Sequence, residues 1–443
     1  MSLLALTLTF KLAGLVTAAP APAGDWPQWR GPLGTGVAPE ATPPLTWSES
    51  KNVRWKTSIP GFGTSTPILV KDTVYLLTAV NTAGDTKTPL PAPAGSPPPA
   101  PGNAPRSEAP TAPYAFQVIA LSRSTGAISW TRTLTEEIPH EGHHRDHGFA
   151  SSSPVTDGET LVASFGSRGV YALDLSGGVK WKVRLGQMRT RNNFGEGASP
   201  ALHGQTVVVP WDHEGEDFVV ALHRDTGREL WRQQRDEPTT WSTPLIIDRP
   251  GRTEVVLTAP NRIRSYDLAT GKPLWECAGL FPNVVASPVV SLDTFYAVCG
   301  HRGNALLAIR LGGSGDLTGT EAIRWRHDRG TPYVPSPILL EDTLYFVAGN
   351  NATLSRLDAR SGRPDFEAAR IEGVFGVYAS PITAAGRVYL VGRDGKTAVI
   401  RHAPQLEILS VNALEDRFDA SPAAVGKDLL LRGHRALYCL SGE

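Results

Sequence analysis

Eight times along the chain a serine or threonine is followed by proline and a short apolar run. The prolines, Pro67, Pro154, Pro200, Pro244, Pro288, Pro337, Pro381 and Pro422, lie 87, 46, 44, 44, 49, 44 and 41 residues apart. A period near 44 is the length of one supersecondary unit, which cannot hide its apolar faces alone and must stack on copies of itself. The first interval is lengthened by residues 81–113, whose ten prolines and near lack of large apolar side chains predict a disordered insertion. Without those 33 residues the interval is 54, close to the others.

The order of pieces within a unit also repeats. After "SSSPV" come the turn "TDG", the run "ETLVASF", the link "GSRG", the run "VYALDL", the turn "SGG" and "VKW", ending at Trp181. Trp130, Trp231, Trp275 and Trp325 close four further units. Asp-Gly and Thr-Gly pairs supply the positive-φ positions of tight hairpins, so each unit reads as four short antiparallel strands. Eight such units predict an all-β, eight-bladed propeller spanning 52–443, with the tryptophans wedged between blades. "ALYCLSGE" stops where a third strand would stop, while "NVRWKTSIPG" precedes the first Ser/Thr-Pro step. Residues 52–59 are therefore expected to complete the eighth blade and hide the open edge of the ring.

Lys plus Arg and Asp plus Glu are 43 each, so no net field draws the protein to nucleic acid, which is not expected as a partner. Cys277, Cys299 and Cys439 form no CxxC pair and read as buried apolar groups. Residues 1–23 carry an apolar stretch ending in A-x-A choices, the pattern of a secretory signal. No other segment reaches the length of a membrane span. Residues 24–51, with "DWPQWRGP", are expected to form a strap packed on a propeller that works as a monomer, exported to the periplasm or cell exterior.

Units of the form "ALDxxTGxxLW" followed by "SSPVVxDGxVY" resemble the pyrroloquinoline quinone repeat. That repeat occurs in quinoprotein dehydrogenases and in the lipoprotein of the outer-membrane β-barrel assembly machinery. "DWPQWRGPLGTG", "LAIRLGGSGDLTGT" and "RGTPYVPSPIL" are similar to a narrower exported, eight-bladed group common in planctomycete-like bacteria. The resemblance implies the fold; function varies among such propellers, from catalysis to scaffolding. Quinoprotein alcohol dehydrogenases typically carry an adjacent Cys-Cys pair and extra segments, and this chain has neither. The expectation is thus a non-catalytic module binding a protein, peptide or glycan, with no cofactor. The alternative is a quinone- and Ca2+-dependent dehydrogenase of alcohols or sugars.

The longer links leading into each Ser/Thr-Pro strand should converge on the channel mouth. They offer His144, His147, Arg191, Asn193, Glu196, Trp241, Tyr333, Tyr378 and Asp419 as ligand-facing groups, with Asn192, Phe149 and Phe418 beside them. Aromatic platforms with a few placed polar groups suit a small planar or sugar-like ligand or a short peptide, though the same residues would also serve to plug a channel. No catalytic residue is assigned. "HEGHHRDH" places four histidines in eight residues, of which His144 and His147 are weak metal candidates needing a further ligand such as Glu196 or Asp419. In the narrower group a histidine followed three residues later by asparagine often stands here, which makes His144 the family-like residue and His147 a departure.

Overall fold

The computed structural model describes residues 24–84 and 107–442, so the export segment and most of the Pro-rich insertion lie outside the described residues. Eight antiparallel sheets, each built on four strands, surround a central axis. In the first blade these are Ile68–Val70, Thr73–Asn81, Tyr114–Ser122 and Ile128–Glu137. The innermost strand of every blade is the one that follows Ser/Thr-Pro, and inner strands of neighbouring blades touch.

Proline explains why these strands are innermost and short. It lacks an N–H and fixes φ, so it starts a strand but cannot sit inside a ladder. The residue before it supplies the link to the next blade. Thr66 N donates to Ser153 Oγ (2.9 Å), Ser153 N to Ser199 Oγ (2.9 Å) and Ser199 N to Thr243 Oγ1 (3.3 Å). The series continues through Thr243 to Ser287 (2.9 Å), Ser287 to Ser336 (2.9 Å), Ser336 to Ser380 (2.8 Å) and Ser380 to Ser421 (2.9 Å). These seven bonds form a hydroxyl ring around the axis.

Closure follows the predicted scheme. Val53–Ser58 pairs antiparallel with Ala436–Ser441, from Val53 opposite Leu440 to Ser58 opposite Ala436, and so becomes the outer strand of the eighth blade. Apolar clusters sit between blades: Tyr75 and Phe116 of blade one meet Leu161 and Phe165 of blade two, for example. Outer-strand tryptophans bridge the same seams. Trp181 donates to Arg224 O (2.6 Å) and Trp231 to Leu268 O (2.8 Å), each on the following blade. Trp231 lies flat on the next hairpin at Gly271, whose φ is +74° and where an added Cβ would sit 2.6 Å from the indole. Trp275 turns to its own blade's Glu254 (3.0 Å), because the fifth blade replaces the tight hairpin by a long excursion. Within that excursion, Gly315–Asp316 adds a short parallel strand to blade four, an element absent from the sequence reading.

The strap crosses the far end of the channel. Trp26 bridges Leu69 of blade one, Pro27 O accepts from Thr156 of blade two, and Val37–Ala38 runs parallel to Ile382–Ala384 of blade seven. Between them the buried Arg30 donates to Pro337 O (2.6 Å) and Pro381 O (2.8 Å), while Trp29 Nε1 reaches Ser421 Oγ of the hydroxyl ring (3.4 Å). Replacing Ser336, 1% exposed, by alanine should leave the buried Ser287 N–H without an acceptor. The expected loss is about 1–3 kcal/mol in a denaturant titration; an unchanged midpoint would show that the ring carries no stability.

Candidate functional site

With one end strapped, the channel becomes a blind funnel that encloses about 970 Å³. Its wall is made by the loops leading into the Ser/Thr-Pro strands and by the links between second and third strands, and its floor by the hydroxyl ring and Trp29. Tight hairpins occupy the other face, which is why the longer, variable segments collect at the mouth.

Seven of the nine expected residues line this funnel: His144, His147, Arg191, Trp241, Tyr333, Tyr378 and Asp419. Asn192 is there too. Two lie elsewhere. Asn193 Nδ2 donates to Ser107 O (3.0 Å), holding the returning end of the insertion against the mouth loops; Ser107 N in turn donates to Asn192 O (3.0 Å). Glu196 turns away into a cleft between blades, accepting from Ser167 N (2.6 Å), Ser167 Oγ (2.7 Å) and Arg168 Nη1 (2.8 Å). Phe149 and Phe418 point into interblade packing, against Tyr114 and Tyr438.

One side of the funnel is an ion-pair network drawn from three blades. Asp146 accepts from Arg393 Nη2 (2.7 Å), Arg417 Nη2 (3.1 Å) and Tyr378 OH (3.2 Å). Asp419 is bound by Arg393 and by His434 Nε2 (2.7 Å), and Arg393 lies over the Tyr378 ring at 3.8 Å. Burial pushes both carboxyls up, but the opposing contacts win: Asp146 is lowered, chiefly by Arg393, and Asp419 is held at about 2 by His434 and Arg393. Burial and then the Asp146 charge push the Tyr378 phenol up to about 12, so it stays a donor. Asp146, Arg393, Arg417 and His434 were not foreseen: the first was passed over inside the histidine run, and the others lie in remote links without a motif.

The opposite side is less self-satisfied. His301 stacks on Tyr333, with centroids 4.6 Å apart, and Asn283 beside them has a buried Oδ1 with no hydrogen-bond partner. The Arg191 guanidinium forms no ion pair among the described residues. Trp241 is fixed by its Nε1 bond to Gly195 O (2.8 Å). Burial lowers the pKa of His144 and of His301, the latter helped by Arg302 and Arg191. Burial, then His143 and His144, takes His147 to about 3, and its Nδ1 has no partner. All three are neutral imidazoles at neutral pH.

Potential metal ligands gather at the head of the histidine run and not at its weak candidates, His144 and His147. Among the described residues the group within 4.8 Å of one another is His140, Glu141 and Glu196. Its members are already engaged, His140 by Met188 O (2.6 Å) and Glu141 by Thr190 N (3.0 Å) and Oγ1 (2.5 Å).

The fold and funnel define an eight-bladed propeller with a blind, aromatic-lined central cavity. The family described as outer membrane protein assembly factor BamB matches residues 114–364, and the chain belongs to it. No curated protein matches the sequence. The solved structure of BamB from Moraxella catarrhalis is similar at 14% identity and a TM-score of 0.53, over 87% of this chain and 100% of that one. The quinohemoprotein alcohol dehydrogenase of Comamonas testosteroni is similar at 11% identity and 0.60, over 96% and 82%. A computationally designed protein, Ika8, is similar at 12% and 0.57, over 88% and 100%. At these identities the likeness is one of fold.

Because the ordinary histidine value is 6.5 and His147 sits at about 3 in the folded chain, the unfolded chain takes the proton first as pH falls. Stability present above pH 6.5 should therefore be lost progressively toward pH 3. Replacing His147 by glutamine should flatten part of that slope in denaturation midpoints measured across the range; an unchanged slope would remove His147 as a source.

Proposed function

We propose that this propeller is an exported, non-catalytic binding module that docks a protein, peptide or glycan on its loop face and receives part of it in the funnel. The observation that carries this role is the division of the funnel wall. Among the described residues both carboxylates facing the cavity, Asp146 and Asp419, are held by Arg393, Arg417 and His434, while aromatic surfaces and Arg191 are left to meet a ligand. Membership in a family described as an assembly factor supports a macromolecular partner. The chain closes its own ring, so a monomer suffices.

The second reading, a quinone-dependent dehydrogenase, is favoured by the fold likeness to the alcohol dehydrogenase over nearly the whole chain. Calcium beside a quinone requires a cage of carboxylate and carbonyl oxygens. The donor set here speaks against it, since the two carboxylates are committed to arginines and the wall carries Arg145, Arg191 and Arg302. Glycan and peptide arrays probed with the purified chain should give saturable binding that falls at least tenfold in Trp241→Ala. Micromolar quinone binding with calcium-dependent, dye-linked oxidation of an alcohol would overturn the binding role.

A further inference from the structure

The hydroxyl ring that joins the blades has a second face. Thr66, Ser153, Ser199, Thr243, Ser380 and Ser421 all line the funnel. From Ser153 to Ser421 each of these hydroxyl oxygens accepts a backbone N–H from the preceding blade. None of them donates to a protein acceptor among the described residues. With one of the oxygen's two lone pairs used by the backbone, the hydroxyl hydrogen can turn to the cavity, beside a second lone pair. The floor is thus a ring of hydroxyls able to donate to a ligand.

The wall adds positive charge. Arg145 and Arg191 face the cavity, and Arg393 and Arg417 stand behind its two carboxylates: among the described residues, four arginines to two carboxylates. Of these, Arg191 forms no ion pair among the described residues. Donors plus surplus cation select an oxyanion, for which guanidinium and hydroxyl groups give short, charge-assisted bonds.

Two further groups narrow the ligand. Asn283, 5% exposed, presents an unpartnered Oδ1 and His147 an unpartnered Nδ1; the amide oxygen asks for a donor and the imidazole nitrogen for a donor or an acceptor according to its tautomer, a pairing that the several hydroxyls of a sugar meet better than the one or two of inorganic phosphate. Trp241, Tyr378, the His301–Tyr333 stack and Trp29 provide flat apolar faces around the same space. Oxyanion, hydroxyl donors and apolar C–H faces occur together in an acidic sugar.

From these features we infer that the funnel is a binding site for a saccharide unit bearing an oxyanion, its charged group directed to Arg191 and the hydroxyl ring and its hydroxyls to Asn283 and His147. The inference rests on the binding role proposed above and specifies what enters the cavity. Calorimetric titration with glucuronate, glucose 6-sulfate, glucose and inorganic phosphate tests it, with a carboxylate and a sulfate arm to distinguish the source of the charge. One or both sugar acids should bind saturably, at least tenfold more tightly than glucose and than phosphate, and more weakly as salt is raised. Arg191→Gln should reduce that binding at least tenfold with an unchanged thermal midpoint, because the guanidinium forms no ion pair among the described residues. A second variant, Asn283→Leu, should weaken the sugar acids and leave phosphate unaffected. Equal binding of glucose and glucuronate, phosphate as tight as the sugar acids, or full binding by a folded Arg191→Gln would overturn the inference. Array binding by neutral glycans or peptides alone would remove the inference while leaving the binding role, whereas quinone turnover would remove the role itself.

Discussion

A backbone amide on one blade meeting a side-chain hydroxyl on the next, one residue before a proline, is the contact on which the architecture turns. Each blade buries little by itself, so the ring stands only if neighbours are held at a fixed angle near the axis, where no large side chain fits. A serine or threonine is small enough for that place, and its hydroxyl oxygen accepts the N–H of the pre-proline residue on the preceding blade, which would otherwise be buried unpaired. The bond from Ser287 to Ser336 is typical: both residues are buried, and the donor and acceptor come from sequence positions 49 apart. At the rim the tryptophans do the complementary work, each large enough to span a seam whose width grows with distance from the axis.

The same geometry creates the cavity. Eight small residues around an axis leave a hole, and the strap closes one end of it with Trp29 and the buried Arg30. What remains is a vessel with a donor-lined floor and a wall assembled from eight independent loops. Those loops are free of the packing rules that fix the strands, so function can vary while the repeat stays constant.

The fold was legible because its constraints are periodic. Ser/Thr-Pro, the hairpin glycines and the closing tryptophans recur at one spacing, and Trp55 ahead of the first unit pointed to closure by Val53–Ser58. The site was legible only in outline. Loop position placed His144, Trp241 and Tyr378 at the mouth, but which way a loop side chain turns depends on partners that sequence does not order. Glu196 was taken by Arg168 and Asn193 by the insertion's returning end, while Arg393 met Asp146 across 247 residues and His434 met Asp419 across 15. Asn283 carried no motif and is marked only by its buried, unpartnered oxygen; Trp29 belonged to "DWPQWRGP", which was read as strap packing and not as part of the cavity floor.

The central claim is that residues which hold the blades together also present a donor surface to a ligand. A crystal structure of the chain soaked with glucuronate tests it most directly. The account predicts the sugar inside the funnel, its carboxylate within hydrogen-bond distance of Arg191 and of hydroxyls among Thr66, Ser153, Ser199, Thr243, Ser380 and Ser421. A sugar seated on the hairpin face, or in the funnel with its carboxylate turned away from the ring, would contradict it.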